Sequence, residues 1–394
     1  MAKRKITKQQ QKQIKKAAKK APVFFTIVVL LIIALVGCCV LHKKGVIHIP
    51  LLDKLIPQDT EIDGKGGAFT DEDITEIKNG NLSVHFLELG NEYTGDCTLI
   101  KVGDTEVLID AGSRQNSADT IISYVQQFCE DKTLEYVIAT HADQDHIAAF
   151  PKVFEAFQCD TIIDFPLTNK DTQVYNNYVE ARTAEIAAGA THYTALECYN
   201  GANGAKRSYT LGEGVTMSFL YQKFYEETTS DENDYSVCML LTEEYVVGEN
   251  NYLFTGDLES AGEASLVESN ALPRCKLFKG GHHGSKTSST EKLLSVIRPE
   301  IVCVCCCAGS DEYKAKPENT FPTQAFVDRV AKYTQNVYVT TLANDSEKGF
   351  ESMNGNIVVY SLGGTLNVRC SYNATLLKDT EWFKNNREIP SSWR

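Results

Sequence analysis

The chain has 394 residues, 43% of them apolar, and carries 39 Lys and Arg against 52 Asp and Glu, a formal net charge of −13. That apolar share is enough for a substantial core, and the length allows one large domain or two ordinary ones. The charge is unevenly placed: residues 1–44 hold 11 of the basic residues and no acid, so residues 45–394 carry 28 basic against 52 acidic residues, a formal −24. Such a body repels polyanions unless a groove or a bound metal compensates, which counts against nucleic acid as a substrate.

The first segment, MAKRKITKQQQKQIKKAAKK, has nine Lys or Arg, and the run VFFTIVVLLIIALVGCCVL that follows it, Val23 to Leu41, has no charge. That run is long enough to span a bilayer core as one transmembrane helix. The basic excess before it, against Lys43 and Lys44 after it, predicts an N-terminus inside the cell and a single-pass cell-membrane protein with everything beyond Leu41 outside. A cleaved signal peptide is one rival, and LVGC, Leu35 to Cys38, also fits a lipoprotein signal with Cys38 as the lipidated residue. The uncleaved anchor is favoured because the apolar run continues past Cys38 and the basic region is long for a signal. The predicted organisation is a basic tail at 1–22, an anchor at 23–41, a linker at 42–80 containing Pro50, Pro57 and the GKGG of Gly64 to Gly67, a folded domain at 81–375, and a C-terminal tail at 376–394.

Within the folded part, apolar runs of strand length alternate with helix-like stretches. LSVHFLEL, CTLIKV and EVLIDAG precede a helical SADTIISYVQQFCE; LEYVIATH and a long amphipathic VYNNYVEARTAEIAAGA come next. The second half repeats this order with VTMSFLY, SVCMLLTEE and NNYLFTGD, a helix near Glu259 to Glu268, CKLFKGG, a helix TEKLLSVI and IVCVCCCAG. Two such halves predict an α/β fold with two sheets packed together and helices outside. The 13 cysteines form no spaced disulfide framework. Cys303, Cys305, Cys306 and Cys307 crowd the last run, where neighbours point to opposite faces, so it reads as a buried strand using Cys as a small apolar residue.

THADQDH, Thr140 to His146, places two imidazoles and two carboxylates in six residues just after an apolar run, a density of nitrogen and oxygen ligands suited to divalent cations. Asp110 in LIDAG, Asp257 in LFTGDLE, and His282 and His283 in LFKGGHHGSKTSS also lie just beyond apolar runs. Side chains in those places would converge at one edge of a sandwich. His42, His48, His85 and His192 lack ligand-type neighbours and are assigned to ordinary structure. The aromatic residues are dispersed and form no stacking platform for single-stranded nucleic acid.

This set, in this order, resembles the metallo-β-lactamase superfamily. More narrowly it is similar to the branch that includes the hydrolase domain of the ComEC-type DNA-uptake competence channel, where the signature reads His-x-Asp-x-Asp-His. The likeness covers roughly residues 82–370 and does not extend to the multi-helix channel. It implies a four-layer αββα sandwich and two divalent metal ions, zinc or manganese. By the same resemblance Asp145, His146 and His283 would hold one ion, and Asp257 would bridge to a second held by His141 and Asp143. His282 is the alternative to His283. Asp145 would also orient the attacking water, and Ser285, Lys286 and Thr287 lie where they would contact an anionic substrate.

Two departures bear on chemistry. Where many members carry a His before the strand leading to the bridging Asp, this chain has Asn233, Asp234 and Tyr235, so the second site is richer in oxygen and should favour manganese or another harder ion over zinc. Phe321 stands where the competence branch often has His. The implied activity is hydrolysis of a phosphoester or phosphodiester, with DNA as the specific version that the charge disfavours. A smaller ester or a wall-polymer substrate is the alternative, and a non-catalytic metal-binding surface module is the rival of a different class.

Overall fold

The computed structural model describes residues 34, 38, 62, 64–246, 248–310, 312, 317–344 and 349–394. The anchor expected at 23–41 and the tail before it lie outside the described residues, apart from Ala34 and Cys38. Among the described residues no helix is long and apolar enough to cross a membrane.

Two sheets carry the fold. The first runs, in spatial order, Gly64–Gly66, Thr365–Cys370, Ile357–Leu362, Leu82–Phe86, Thr98–Val102, Thr105–Ile109, Thr133–Ile138, Gln158–Asp164 and Thr191–Thr194. The second runs Gly349–Ser352, Val337–Asn344, Ile301–Ala308, Leu277–Lys279, Gly248–Phe254, Cys238–Tyr245, Val215–Leu220 and Ser208–Gly212. The hairpin of Ile357–Leu362 and Thr365–Cys370 returns to the first sheet, where Ile357 pairs with Phe86 and Val359 with Val84.

The strand IVCVCCCA displays the layering. Ile301, Cys303 and Cys305 face a core shared with Val84, Leu99 and Val107 of the first sheet and Tyr252 and Phe254 of the second, which is the space between the sheets. Val302, Val304, Cys306 and Ala308 face a second core built with Leu266, Leu294, Phe326 and Val330 from the helices Ser260–Ser269, Glu291–Ile297 and Gln324–Val330. On the outer side of the first sheet lie Ala118–Val125, Phe150–Ala156 and the long Gln173–Ala188, whose N-cap Thr172 accepts from Tyr175 N–H. A strand buried on both faces needs apolar residues at every position, and Cys meets that need with little volume. All four of its cysteines are buried, the described cysteines are free thiols, and burial pushes the Cys306 thiol up to about 12.

Both ends of the domain reach further than expected. Gly64–Gly66, placed in the linker, pairs in parallel with Thr365–Cys370. Asp71–Lys78 is a helix with a capping box from Thr70 and Asp73, and Asp73 binds the buried Arg369. The expected tail folds as well: Glu381–Asn386 is a helix, and Phe383 and Trp393 join the second core. The linker reading followed Pro and Gly content, which marks turns; here the glycines serve close packing, since a side chain on Gly66 would meet the backbone of Asn373 at 2.5 Å.

Parallel pairing places the chemistry. Thr105–Ile109 runs parallel to Thr133–Ile138, and Gly248–Phe254 to Leu277–Lys279. Asp110, His141, Asp257 and His283 therefore all follow the C-terminal ends of parallel strands, the edge at which α/β sheets bind ligands.

Candidate metal centre

Backbone contacts between loops build the centre first. Asp96 N–H donates to Asp145 O at 3.0 Å, Ala111 N–H to His146 O at 2.7 Å, Val237 N–H to Thr140 O at 2.9 Å and His282 N–H to Gly256 O at 3.3 Å. Gly112 allows the closest of these approaches, for a Cβ there would lie 1.5 Å from Asp145 O. Asp110, His282 and His283 have φ of 59°, 44° and 52°, left-handed conformations that cost side-chain-bearing residues energy and that collect at functional sites.

One ligand atom each from Asp145, His146, Asp257 and His283 lies within 4.8 Å of the others. His283 Nε2 is 3.2 Å from Asp145 Oδ2 and 3.0 Å from Asp257 Oδ2, and His146 Nε2 is 3.2 Å from the same Asp257 oxygen. His146 Nε2 nevertheless has no hydrogen-bond partner, nor do the buried His141 Nε2 and Asp257 Oδ1. Four ligand atoms gathered about one point, and polar atoms orphaned in a buried place, fit a divalent cation.

Outer residues orient these ligands. His146 Nδ1 lies 2.8 Å from Asp110 Oδ2, and Asp110 in turn accepts from Thr140 N–H and Thr140 Oγ1–H, both at 2.8 Å. His283 Nδ1 lies 2.8 Å from Cys305 O and 3.3 Å from Asp96 Oδ1. Asp257 N–H donates to Ser236 Oγ at 3.1 Å, and that hydroxyl is 3.4 Å from His141 Nδ1. Such partners fix the ring orientation of metal-binding histidines, and losing one costs about 10–100-fold in metal affinity. We expect Asp110→Asn to weaken the first binding step of a manganese titration by that order while the fold persists; an unchanged step would remove Asp110 from this role.

The electrostatics are those of a cluster awaiting positive charge. Burial works to strip His146 and His283 of their protons, but Asp257 with Asp110 at one ring, and Asp257 with Asp96 at the other, outweigh it and raise both imidazoles well above their usual range. Burial also opposes ionisation of Asp257, yet His283, His146 and Lys279 hold its carboxyl well below the ordinary value. In the metal-free chain, the stability from these raised imidazoles is fully present below the unfolded value of about 6.5 and is lost as pH rises through their folded values. A cation must displace those protons, so its apparent affinity should strengthen as pH rises. Calorimetry in buffers of different ionisation enthalpy should record proton release near neutral pH, and pH-independent uptake would contradict this protonation pattern.

The other expected residues are placed differently. His141 Nε2 is 3.6 Å from Asp143 Oδ2, but among the described residues these two and Asp257 do not form a group as tight as the first. Asp143 is instead ion-paired with Lys170. Asp234 accepts from Glu259 and Gly262 N–H, and the Tyr235 hydroxyl donates to Thr229 O, so neither is directed at His141. His282 Nε2 is 4.0 Å from Asp257 Oδ2, and its Nδ1 lies 3.2 Å from Glu259 Oε1. Ser285 Oγ and Thr287 Oγ1 are 2.9 Å apart, Thr287 Oγ1–H donates to Glu259 at 2.7 Å, and Lys286 is exposed. Phe321 packs 5.7 Å from the His282 ring and 5.9 Å from that of His283. His85 and His192 are structural: His85 lies between Tyr124 OH and Ser83 Oγ, and His192 Nε2 is 2.9 Å from Asp164.

Sequence reasoning missed Asp96 and Lys279. Lys279 Nζ is buried 2.5 Å from Asp96 Oδ2 and 3.5 Å from Asp257 Oδ1. Burial acts against the Lys279 charge and is overcome by Asp96 and Asp257; the same pairing brings Asp96 down to about 2. The only signal was a lysine inside the apolar run LFKGG, where an unpaired charge has no place.

Residues 90–164 match the family model described as the metallo-beta-lactamase superfamily. The chain is 26% identical over 280 residues to Recombination protein 2 of Haemophilus influenzae, an alignment covering 70% of this chain and 30% of that protein. It is 25% identical over 256 residues to Competence protein ComA of Neisseria gonorrhoeae, covering 65% and 31%. It thus spans about three-tenths of the length of these curated relatives. Among solved structures, the metallo-beta-lactamase fold protein YhfI from Bacillus subtilis aligns with 67% of this chain and 97% of its own at 11% identity and a TM-score of 0.39. By the family match and the site geometry, the chain contains a metallo-β-lactamase-like α/β domain with a group of residues able to hold metal. Within that class its resemblance is to ComEC-type competence proteins, as the motifs led us to expect.

Proposed function

We propose that the chain is a membrane-tethered, extracytoplasmic hydrolase that uses two divalent cations, zinc or manganese, to cleave phosphoester or phosphodiester bonds. The observation that carries this reading is the convergence of Asp145, His146, Asp257 and His283 on one point, with orphaned buried donors beside it. Asp145, His146, His283 and Asp257 would hold the first ion, and His141, Asp143 and Asp257 the second. When bound, such ions lower the pKa of water and act as Lewis acids toward the attacked centre.

The chain's own groups divide by exposure. His141, His146, Asp257 and His283 are buried, whereas Asp143, Asp145, Lys170, His282 and Glu259 are partly open and so would meet substrate. Asp145, partly open beside the buried ligands, would orient the attacking water. His282, held at Nδ1 by Glu259, presents Nε2 toward Asp257. Phe321 supplies an apolar wall that excludes water from the His283 side.

The formal −24 of residues 45–394 favours a small ester or wall-polymer phosphodiester over DNA. Retention of the full ligand group speaks against a non-catalytic surface module. The uncharged run Val23 to Leu41 is what supports tethering, with the domain outside because the basic residues precede it.

The test uses the full-length chain in detergent, stripped of metal, with a generic phosphodiester, a phosphomonoester and linear DNA offered in parallel with manganese and with zinc. Turnover of a small phosphodiester that a chelator abolishes is expected. Metal binding without turnover of any ester would favour the non-catalytic module, and DNA cleavage faster than that of the small diester would overturn the charge argument.

A further inference from the structure

The second cation of the proposed centre has a competitor built into the chain. We propose that Lys170 competes with that cation for Asp143, so that the chain holds one divalent ion tightly and admits a second only when the ammonium gives way. This rests on the reading of the site as a two-cation hydrolase centre.

Lys170 is not a loose surface lysine that happens to touch a carboxylate. The loop that carries it is tied at three points to residues 229–235: Thr168 Oγ1–H and Asn169 N–H donate to the two oxygens of Glu232 at 2.6 and 2.7 Å, and Asn169 Nδ2–H donates to Thr229 O at 2.7 Å. Glu232 is itself buried, and Lys170 N–H closes the turn on Thr168 Oγ1 at 3.0 Å. The stretch DEND, which lacks the expected histidine, thus serves as the anchor of the lysine loop. One oxygen of Asp143 pairs with Lys170 and the other is 3.6 Å from His141 Nε2. One oxygen of that carboxylate is therefore held by an ammonium before any ion arrives.

Charge balance points the same way. Once a cation has displaced the protons of His146 and His283, five carboxylates, those of Asp96, Asp110, Asp143, Asp145 and Asp257, surround the centre with two ammonium groups, Lys170 and Lys279, a balance of three negative charges. One dication at the tight group brings the centre to −1. A second with Lys170 still in place would overshoot to +1 beside a fixed cation in a partly buried setting, where like charges repel far more strongly than in water. Lys170 is 30% exposed, so its long stem can carry the ammonium to solvent when displaced.

Manganese titration of the metal-stripped full-length chain in detergent, read by calorimetry and by electron paramagnetic resonance, tests this without recourse to activity. The wild-type chain should show one tight and one weak step. Lys170→Met should tighten the second step at least about tenfold, with a spin-coupled pair forming at lower manganese, and leave the first unchanged. Lys170→Arg should retain the weak second step, and Lys152→Met, which alters a half-exposed lysine 3.9 Å from Asp119, should match wild type. An intact first step serves as the folding control. If Lys170→Met leaves the second step as it was, or Lys170→Arg tightens it equally, the competition is refuted while the hydrolase reading stands. Absence of the first step in wild type would refute both.

Discussion

Asp257→Ala should abolish hydrolysis and remove metal from both positions, because one carboxylate serves the whole centre. Its Oδ2 lies within 3.2 Å of both His146 and His283, its Oδ1 faces Lys279, and its backbone N–H is pinned to Ser236. Without it, two cations would lose the negative charge between them, and Lys279 would press its positive charge toward the vacated place. Outer partners of metal ligands are worth about 10–100-fold each, so loss of a shared ligand should exceed about 100-fold in turnover. The check is metal content after dialysis together with phosphodiester turnover. His192→Ala is the control: that imidazole belongs to the buried group of Asp164, Arg182 and Tyr178 and should leave both readouts near wild type. Equal loss in the two variants would mean that the centre lies elsewhere.

What was legible in the sequence and what was not divides along a physical line. The ligand-rich THADQDH could be read because its residues are neighbours in the chain and sit at a strand end, and the strand ends of Asp110, Asp257 and His283 share that signature. The cysteine strand was legible because nothing but burial explains so apolar a run. Asp96 and Lys279 could not be found this way, since each is meaningful only through a partner 183 positions away, and the pairing exists only once the two sheets meet. Lys170 was hidden for a related reason. Its loop is ordered by Glu232, a residue that nothing in the sequence singles out.

The boundary at 81 failed differently, and the failure makes a large effect testable. Asp73, which sequence reasoning left in a linker, accepts a bidentate pair from Arg369: Nε–H to Oδ1 at 2.9 Å and Nη2–H to Oδ2 at 2.8 Å, with side-chain exposures of only 5% and 4%. Arg369 also donates to the carbonyls of Lys65, Gly67, Ala68 and Cys370, so a single guanidinium fastens residues 65–73 to the last strand of the first sheet. Lys65 adds an exposed and weaker partner to Asp73. Replacing Asp73 with Ala strands a buried guanidinium, which typically costs about 3–5 kcal/mol, a large part of the total stability of an ordinary domain. The pH dependence follows from the direction of the shift. Arg369 holds the Asp73 carboxyl far below its usual range against the opposing effect of burial, with Thr70 assisting. The stabilisation is therefore fully present above the unfolded carboxyl value of about 3.9 and is lost progressively as pH falls below it. The denaturant midpoint of Asp73→Ala should lie well below wild type at pH 7, and the two should approach each other at pH below about 4. If residues 64–80 were a linker, the substitution would leave the midpoint at pH 7 unchanged.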